Sequence, residues 1–485
     1  MPEDEGRFGY DDFLSPFTWR YGGEEMRRLF SERRKRATWR KVWLALAESQ
    51  AELGLIGVDE LEGIRARSGA ENVDIERAHA VEKMVRHDLM AELRTFAEQA
   101  GKGGGKLHLG ATSMDIEDNA DVMLYVEAVQ VLLSRMADCL AAAKGRILEH
   151  KGTVCMAWTH LQPAEPTTLG YRFANYAQDL VMDVELLEAI KERFLKGKGV
   201  KGAVGTSASY RALLGKTRPE VLEGKVAARL RIGAYEVSTQ TYPRKLDYLL
   251  LAALASIAQS CHKFGLDLRV MQSPAFGEMS EPIGSKQVGS SAMPFKRNPV
   301  SSERMCSLAR FVSVLPSVAF MNAASSILER TLDDSAARRI AIPEAFLAVD
   351  ECLATYQSLM QGLRVNPAMI QRNLQAYGPF AGTEALMMKL VEEGGDRQDI
   401  HEKIRVASFK AWEGVMEGRD NGLEAILLKE KWVSSKLSKA RVRELLDPTR
   451  HVGDAEERCE AFVRRRIDPV LRRHKPGAVK GGPSY

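Results

Sequence analysis

The segment 284–299, which reads Gly-Ser-Lys-Gln-Val-Gly-Ser-Ser-Ala-Met-Pro-Phe-Lys-Arg-Asn-Pro, carries residue types that are well suited to chemistry. Two adjacent hydroxyls, Ser290 and Ser291, precede the cations Lys296 and Arg297. Its prolines remove backbone donors and its glycines disfavour helix, so we predict a loop between helices. Such a loop could hold an anionic substrate beside a nucleophile or base. From residue types alone, a solvated linker is an equally good interpretation.

Two short polar patches near the N-terminus are further candidates. Arg86, His87 and Asp88 form the first, for which an exposed helix face is the alternative interpretation. Thr112 and Ser113 follow the run His-Leu-Gly-Ala and are typical of the start of a helix. Hydroxyls and free backbone N–H groups at a helix start bind anions, so this second patch is a candidate anion site.

A single histidine, His160, lies in the polar stretch 157–168 between two predicted helices. Pro163 and Pro166 follow it, and we expect them to end any regular structure there. A lone histidine is more often a structural or surface group. Flanked by hydroxyl and amide side chains at a helix junction, this one becomes a candidate acid or base, because imidazole exchanges protons near neutral pH.

The stretch 329–339, Glu-Arg-Thr-Leu-Asp-Asp-Ser-Ala-Ala-Arg-Arg, combines cations with a hydroxyl. Arg330, Ser335 and Arg339 could form a set that binds a carboxylate or a phosphate, because guanidinium groups match both in a bidentate manner. Ion pairing on a helix surface, with the two aspartates between them, is the alternative.

Length and composition restrict the class of protein. The 485 residues predict two to four domains. A net charge of +4 is nearly neutral for this length, so no general attraction to nucleic acid is expected. No apolar run approaches the length that spans a bilayer, and the acidic N-terminus lacks the apolar stretch of a secretory signal. The six scattered cysteines predict reduced, buried thiols, and we expect a cytoplasmic protein.

Two other patterns predict no binding chemistry. The basic run at 27–41 is interleaved with apolar residues at helical spacing, so a solvated helix face is preferred over a nucleic-acid site. His401 and Glu402 lack the second histidine of a zinc-binding HExxH motif, where Arg405 stands instead. We therefore expect no metal site.

Apolar periodicity predicts long helices. An a/d stripe runs through 122–147 over more than three heptads, with Asp118 and Asn119 suited to its start and Lys151 to its end. Runs with a period of two are nearly absent, so no sheet is predicted. An all-α fold built on a long-helix bundle follows, elongated and oligomeric, because one apolar stripe rarely buries every apolar residue. Further long helical patterns cover 167–195, 245–271, 301–324 and 338–363.

We expect three helical domains. A smaller one covers residues 1–111, a central bundle that carries the loop 284–299 covers 112–365, and a domain of short helices covers 366–485. The basic tail at 475–485 contains glycine and proline and is expected to fray.

The string Gly-Ser-Ser-Ala-Met-Pro-Phe-Lys-Arg-Asn-Pro at 289–299 resembles the signature loop of the fumarase/aspartase superfamily. Members of this superfamily share an all-α, three-domain fold, and their central domains build a long helix bundle in a homotetramer. They eliminate across a C–N or C–O bond and usually release fumarate. The resemblance therefore implies this fold and this class of reaction.

Within the superfamily the chain resembles the adenylosuccinate lyase family over nearly its full length, and the 329–339 string is similar to the animal branch. This implies cleavage of adenylosuccinate to AMP and of succinyl-aminoimidazole carboxamide ribotide (SAICAR) to its carboxamide (AICAR), each with release of fumarate. One departure is Ser207, where the family has glutamine. The stretches that carry the resemblance are 15–21, 86–90, 108–113, 159–168, 240–245 and 329–335.

The resemblance also implies residue roles. His160 matches the family's general acid and Ser290 its general base, while Lys296 and Asn298 match loop residues near the succinyl carboxylates. The other positions that match substrate contacts are Arg20, Tyr21, Arg86, His87, Asp88, Thr112, Ser113, Gln240, Arg304, Arg330, Ser335 and Arg339.

The partners that the resemblance implies are small molecules and other copies of the same chain. It implies no metal or organic cofactor, no nucleic acid and no membrane, and a homotetramer whose subunits share active sites. Two alternatives remain: a different lyase of the superfamily, such as argininosuccinate lyase, and a non-catalytic helical scaffold. A scaffold would need none of the polar insertions between the helices.

Overall fold

Helices dominate the computed structural model, which confirms the predicted all-α class. Ser290 and Ser291 lie outside the described residues. Those that the structure describes are 11–283, 292–293, 295–479 and 482–483.

The N-terminal region consists of a long helix, α2, surrounded by shorter ones. Arg36 and Arg40 of α2 are buried against Glu92 of a neighbouring helix, with Arg40 Nε 2.6 Å from Glu92 Oε1. The basic run is therefore only partly a solvated face, because a carboxylate from another helix pairs with it. The helices are α1 (Glu24–Leu29), α2 (Glu32–Glu52), α3 (Val58–Arg67), α4 (Ile75–Val85) and α5 (Asp88–Ala100), with 3-10 turns at Pro16–Thr18, Ala70–Asn72 and Gly101–Lys106.

The long helices form the central bundle. The predicted long segments are confirmed, and α6, with 38 residues, is about 57 Å long. It packs against α7 and α12, while α10 packs against α7, α11 and α12. The apolar stripe is buried: Val129, Met136 and Leu140 are inaccessible to solvent. The bundle helices are α6 (Ser113–His150), α7 (Leu169–Arg193), α10 (Lys245–Gln272), α11 (Val300–Ala324) and α12 (Asp333–Gly362). Two shorter helices between α7 and α10, α8 (Ala208–Leu214) and α9 (Pro219–Leu230), join the apolar cluster of the N-terminal helices.

Of the two predicted starts of α6, the one at Asp118 and Asn119 was wrong by about one turn, and the one at Thr112 and Ser113 is confirmed. The helix begins at Ser113 after the N-cap Thr112, whose backbone N–H donates to the Asp115 carboxylate at 3.1 Å. Asp118 and Asn119 lie inside the helix and are buried. They tie the helix to other segments: Asp118 accepts from Arg244, and Asn119 donates to the carbonyl of Gly199.

Two central helices, α10 and α11, are long and apolar enough to cross a membrane by length and composition alone. No such segment was expected from the sequence, where charged residues interrupt the apolar runs. The fold buries 56% of the most apolar stretch of α10 and 44% of that of α11. Core helices of soluble proteins have the same composition, so this pattern does not assign a membrane location.

Short strands join some of the helices, and one hairpin contradicts a prediction. Pro163 and Pro166 were expected to end regular structure, yet both lie in the second strand, paired with Trp158 and Met156. A two-stranded sheet consists of edge strands, where a proline need not break a ladder hydrogen bond. The pairs are β1 (Val154–Thr159) with β2 (Gln162–Thr168), β3 (Lys196–Gly197) with β4 (Gly233–Ala234), and β5 (Met279–Ser280) with β6 (Arg364–Val365).

The C-terminal region contains short helices. Those from α14 to α18 enclose a separate apolar cluster, whereas the last helices pack against the central bundle. The helices are α13 (Pro367–Ala381), α14 (Thr383–Glu392), α15 (Arg397–Met416), α16 (Leu423–Lys429), α17 (Lys431–Ser434), α18 (Lys439–Leu446), α19 (Ala455–Phe462) and α20 (Asp468–Arg473), with a 3-10 turn at Pro448–Arg450 and a π-turn at Val463–Ile467.

The tail was expected to fray, but its first part is docked. The backbone N–H of Gly477 donates to Asp138 Oδ1 of α6 at 2.5 Å, and Val479 is only 9% exposed. Burial of one apolar side chain and a carboxylate contact hold this segment on the bundle.

Candidate active site

A cavity of about 120 Å³ lies where the starts of α2, α6 and α12 meet. It brings together the predicted set Arg330, Ser335 and Arg339. The spacing of Ser335 and Arg339 places them on the same face of α12, one turn apart. The full lining is Phe30, Lys35, Met114, Glu117, Asp121, Leu124, Tyr125, Arg330, Ser335, Arg338, Arg339 and Pro343.

A buried ion-pair network supports Arg330. Its Nη1 lies 3.5 Å from Asp334 Oδ1, and the other oxygen of Asp334 accepts from Arg244 Nε at 2.6 Å. Arg244 Nη1 also donates to Asp118 Oδ1 at 2.9 Å. Burial lowers the pKa of the Arg330 guanidinium from its ordinary value, and the Asp334 carboxylate partly offsets this. The two interpretations of this stretch, anion binding and ion pairing, therefore both apply, because Arg330 pairs with Asp334 and also lines the cavity.

Arg338 and Arg339 are adjacent but have different surroundings. Arg338 donates to Asp247 Oδ2 at 2.7 Å and to the Tyr242 hydroxyl at 2.6 Å, and it is nearly buried. Arg339 is half-exposed and pairs with Asp88 of α5, with 2.7 Å between Nη2 and Oδ2. Arg339 is thus the better placed of the two to reach a ligand.

The patch 86–88 is a break between two helices, so its interpretation as a helix face is wrong. Arg86 has a φ of 53° and ends α4, and His87 is the N-cap of α5. His87 Nε2 lies 3.4 Å from the Ser113 hydroxyl. Burial raises the pKa of Asp88, but Arg339 outweighs this and holds it below its ordinary value. Asp88 is therefore a carboxylate that orients Arg339.

The segment before α6 is held by Asp115. Besides the N–H of Thr112, its carboxylate accepts from the Gly202 N–H at 3.0 Å and from the Tyr210 hydroxyl at 3.2 Å, and it pairs with buried Lys198. These contacts fix the start of α6, where Thr112 and Ser113 present their hydroxyls.

Gln240 lies next to the segment that leads into α12. Its backbone N–H donates to the carbonyl of Glu329 at 3.3 Å, one residue before Arg330. The sequence-predicted residues at this end of the bundle are Arg86, His87, Asp88, Thr112, Ser113, Gln240, Arg330, Ser335 and Arg339.

Sequence reasoning missed several titratable residues of the cavity wall, among them Lys35 and Glu117. Burial raises the pKa of Glu117 to about 7, and the Asp88 carboxylate adds to the effect. A signal was available for Glu117: with Ser113 and Asp121 it forms a polar row at intervals of four in the first turns of α6. Lys35 comes from another helix, and its sequence context gives no such signal.

His160 lies at the opposite end of the bundle. It forms the turn of the β1–β2 hairpin, with a φ of 54°, and is exposed. Two residues earlier, Trp158 packs on Phe276, which follows the C-terminal end of α10. Because α10 has 28 residues, its two ends are about 40 Å apart. The chain therefore does not bring His160 to the cavity that holds Arg330.

Lys296 and Asn298 belong to the same end as His160. The carbonyl of Arg297, between them, accepts from Gln272 Nε2 at 2.8 Å, and Gln272 is the last residue of α10. Arg304 follows on the first turns of α11. The candidate base, Ser290, is outside the described residues.

Arg20 and Tyr21 occupy a third place, against the middle of α11 and α12. The N–H of Gly22 donates to Glu351 at 3.1 Å and that of Gly23 to Asp350 at 2.6 Å. Phe17, which contacts the Tyr21 ring, also packs on Phe311. Within one chain the candidate site is therefore divided among three positions along the bundle.

Comparisons with known proteins agree with the resemblance. A family model described as "Lyase" matches residues 23–313, and one described as "Adenylosuccinate lyase C-terminus" matches 379–462. The chain is 39% identical to adenylosuccinate lyase of Schistosoma mansoni, over 96% of this chain and 97% of the relative. It is 38% identical to the enzyme of Saccharomyces cerevisiae, over 95% and 96%.

Solved structures share the fold. A fumarate lyase from Mesorhizobium sp. BNC1 superposes with a TM-score of 0.81 at 27% identity, covering 92% of this chain and 99% of the other. The 3-carboxy-cis,cis-muconate lactonizing enzyme from Pseudomonas putida gives a TM-score of 0.81 at 25% identity, covering 94% and 99%.

Proposed function

Because this chain belongs to the adenylosuccinate lyase family, we propose that it releases fumarate from adenylosuccinate and from SAICAR with His160 as general acid and Ser290 as general base. It is a carbon–nitrogen lyase with small-molecule substrates. The observation that carries the proposal of a site is the convergence of Arg330, Ser335 and Arg339 on one cavity. These substrates have a phosphate and two carboxylates, which such groups bind.

The elimination breaks a C–H and a C–N bond. Ser290 takes the proton from the carbon beside a carboxylate, which leaves a carbanion with its charge spread onto that carboxylate. Lys296 and Asn298 stabilise this doubly negative group through charge and hydrogen bonding. As the C–N bond breaks, its electron pair stays on nitrogen, His160 gives that nitrogen a proton, and a C=C bond forms in fumarate.

A serine acts as a base only in a special environment. Its hydroxyl has to be close to cations or N–H donors and shielded from water, because these favour the alkoxide. The cations around 296–298 are the candidates for that role in the sequence. His160, at an exposed turn, is accessible to a substrate nitrogen.

We propose that the active site is assembled from several subunits of a homotetramer. The separation of about 40 Å between the two ends of α10 supports this, since one chain cannot supply both groups of residues to one substrate. Exposed apolar side chains on α11, among them Val314, Phe320 and Met321, offer a surface for other copies.

The proposal extends to domains and location. We place domain boundaries at 1–111, 112–365 and 366–485. The separate apolar cluster of α14 to α18 supports the last domain, whereas the cluster of the N-terminal helices also includes residues of α6, α8 and α9. A cytoplasmic location is supported by the cysteines, which are free and buried.

The test is fumarate release from adenylosuccinate by the purified protein, with argininosuccinate as a parallel substrate. Release from adenylosuccinate alone is expected, and its absence over hours overturns the proposal. Ser290→Ala should abolish turnover while substrate still binds, and near-normal turnover would remove Ser290 from the role of base. Unchanged activity in His160→Ala would likewise exclude the histidine.

A further inference from the structure

The turn that carries His160 projects from a minimal sheet. β1 and β2 pair with each other, and a bulge interrupts their register between Met156 and Trp158. His160 and Leu161 both adopt left-handed backbone angles, with φ of 54° and 59°, and both are exposed. The direction in which His160 points is therefore set by the contacts at the base of the hairpin.

A chain of aromatic rings joins that base to the C-terminal region. The Trp158 ring packs edge-to-face on Phe276 at 4.8 Å and on Tyr377 of α13 at 5.6 Å. Tyr377 in turn contacts Trp412 of α15 at 5.9 Å, and Phe380 contacts the same tryptophan at 5.6 Å. Trp158 stands at the bulge, two residues before His160, so its ring sets the start of the turn.

A series of buried polar contacts also connects α13 to the hairpin. Arg172 Nη2 donates to the carbonyl of Met156 at 2.6 Å, and its Nη1 donates to Glu278 Oε2 at 3.1 Å. Asn373 Nδ2 donates to the other oxygen of Glu278 at 2.8 Å. Glu278 is inaccessible to solvent, so both contacts are made at low dielectric.

The aromatic contacts and the polar contacts both begin on one face of α13, since Asn373 and Tyr377 are four residues apart. They end on Met156 and Trp158, the two residues that bound the bulge. We infer that Tyr377 is a positioning residue for His160: its ring packs on Trp158 and thereby fixes the direction of the turn that carries His160. The inference rests on the proposed role of His160 as the acid.

Such a residue acts on turnover more than on binding. A displacement of about 1 Å in a catalytic group lowers the rate about 100-fold. Tyr377 contacts Trp158 and Trp412, and neither ring lines the cavity that holds the substrate-binding set around Arg330, so Tyr377 acts through the direction of His160. Loss of the Tyr377 ring is therefore expected to lower kcat while KM changes little.

The experiment compares Tyr377→Leu with Phe380→Leu in the full-length protein. Both positions are half-buried on α13 and both rings touch Trp412, but the Tyr377 ring is the one that contacts Trp158. Tyr377→Leu is expected to lower kcat for adenylosuccinate by about 10- to 100-fold, with KM within about threefold. Phe380→Leu and the conservative Tyr377→Phe should retain wild-type kcat. Equal losses in Tyr377→Leu and Phe380→Leu overturn the inference.

A double variant separates positioning from general damage. In a His160→Gln background, measured by single turnover, Tyr377→Leu should cause no further loss, because the acid that it aims is already gone. A further 10-fold loss in that background overturns the inference. Tyr377→Met, which refills the space, replaces the leucine variant if the latter does not fold.

The same set of variants distinguishes failure of the inference from failure of the proposed function. If His160→Gln keeps wild-type turnover, the proposed acid is wrong, whatever Tyr377→Leu does. If His160→Gln is impaired and Tyr377→Leu behaves like Phe380→Leu, the acid stands and only the positioning role of Tyr377 is rejected.

Discussion

Arg244 and Asp334 form a buried ion pair, in which Nε lies 2.6 Å from Oδ2 and the side chains are 4% and 3% exposed. Arg244 also binds Asp118, so one guanidinium joins the starts of α6, α10 and α12. Asp334 extends the network to Arg330 in the cavity wall. The position of Arg330, a candidate ligand-binding residue, thus depends on Arg244, which does not line the cavity.

We expect Arg244→Met to lower the free energy of unfolding by about 3–5 kcal/mol, because it removes the hydrogen-bonded cation of buried Asp118 and leaves buried Asp334 with only the longer contact to Arg330. Denaturant unfolding at one fixed protein concentration measures this. Arg458→Met is the matched control: Arg458 pairs with Asp454 on the surface, where both are more than 60% exposed, so its loss should leave the free energy of unfolding nearly unchanged. Equal losses in the two variants would contradict the argument.

Gln272 forms hydrogen bonds with the backbone at Glu281, just before the segment 284–299, and at Arg297, near its end. Its Oε1 accepts from the N–H of Glu281 at 2.9 Å, and its Nε2 donates to the carbonyl of Arg297 at 2.8 Å. Gln272→Leu removes both contacts and should lower kcat about 10-fold, because Lys296 and Asn298 adjoin the released carbonyl. Steady-state fumarate release gives the value.

The control for this variant is Gln130→Leu. Gln130 is an exposed residue of α6 whose amide oxygen accepts from Lys191, and its loss should leave kcat unchanged. A kcat of Gln272→Leu that matches this control would show that the two hydrogen bonds do not matter for turnover.

The long helices were predictable because their apolar spacing records burial along one element. The pattern at 245–271 predicts α10 to within one residue of its observed end. The hairpin was not predictable in the same way, since Pro163 and Pro166 usually mark the end of regular structure. Only the pairing of two edge strands makes them compatible with β2.

The candidate site shows the same limit. Arg330, Ser335 and Arg339 stand close together in the sequence, and that spacing predicts a shared binding surface. Lys35 and Glu117 reach the cavity from other helices, so their place depends on packing between elements. Spacing along α6 marks Glu117 as part of a polar row, but it does not show that Lys35 of another helix meets it at the cavity.

Glu117 should make stability depend on pH. Burial, with Asp88 as a further contribution, raises its pKa to about 7, whereas a glutamate in an unfolded chain ionises near pH ~4.3. The folded state therefore favours the protonated form. The contribution of Glu117 to the stability of the fold is complete below pH ~4.3 and is lost as the pH rises through about 7. Glu117→Gln cannot ionise, so it should gain stability over the wild type as the pH rises from 5 to 8. A difference that stays constant across this range would rule out the raised pKa.

His160 and Arg330 lie near opposite ends of α10, which are about 40 Å apart, so a substrate that touches both must lie between chains. His160→Ala and Arg330→Ala should each be inactive alone. When equal amounts of the two variants exchange subunits at random, about a quarter of the sites receive both an intact His160 and an intact Arg330. Activity should therefore return to about a quarter of the wild-type value. A mixture of His160→Ala with His160→Gln serves as the control and should stay inactive. If native mass spectrometry shows mixed oligomers and no activity returns, the two residues do not share a site.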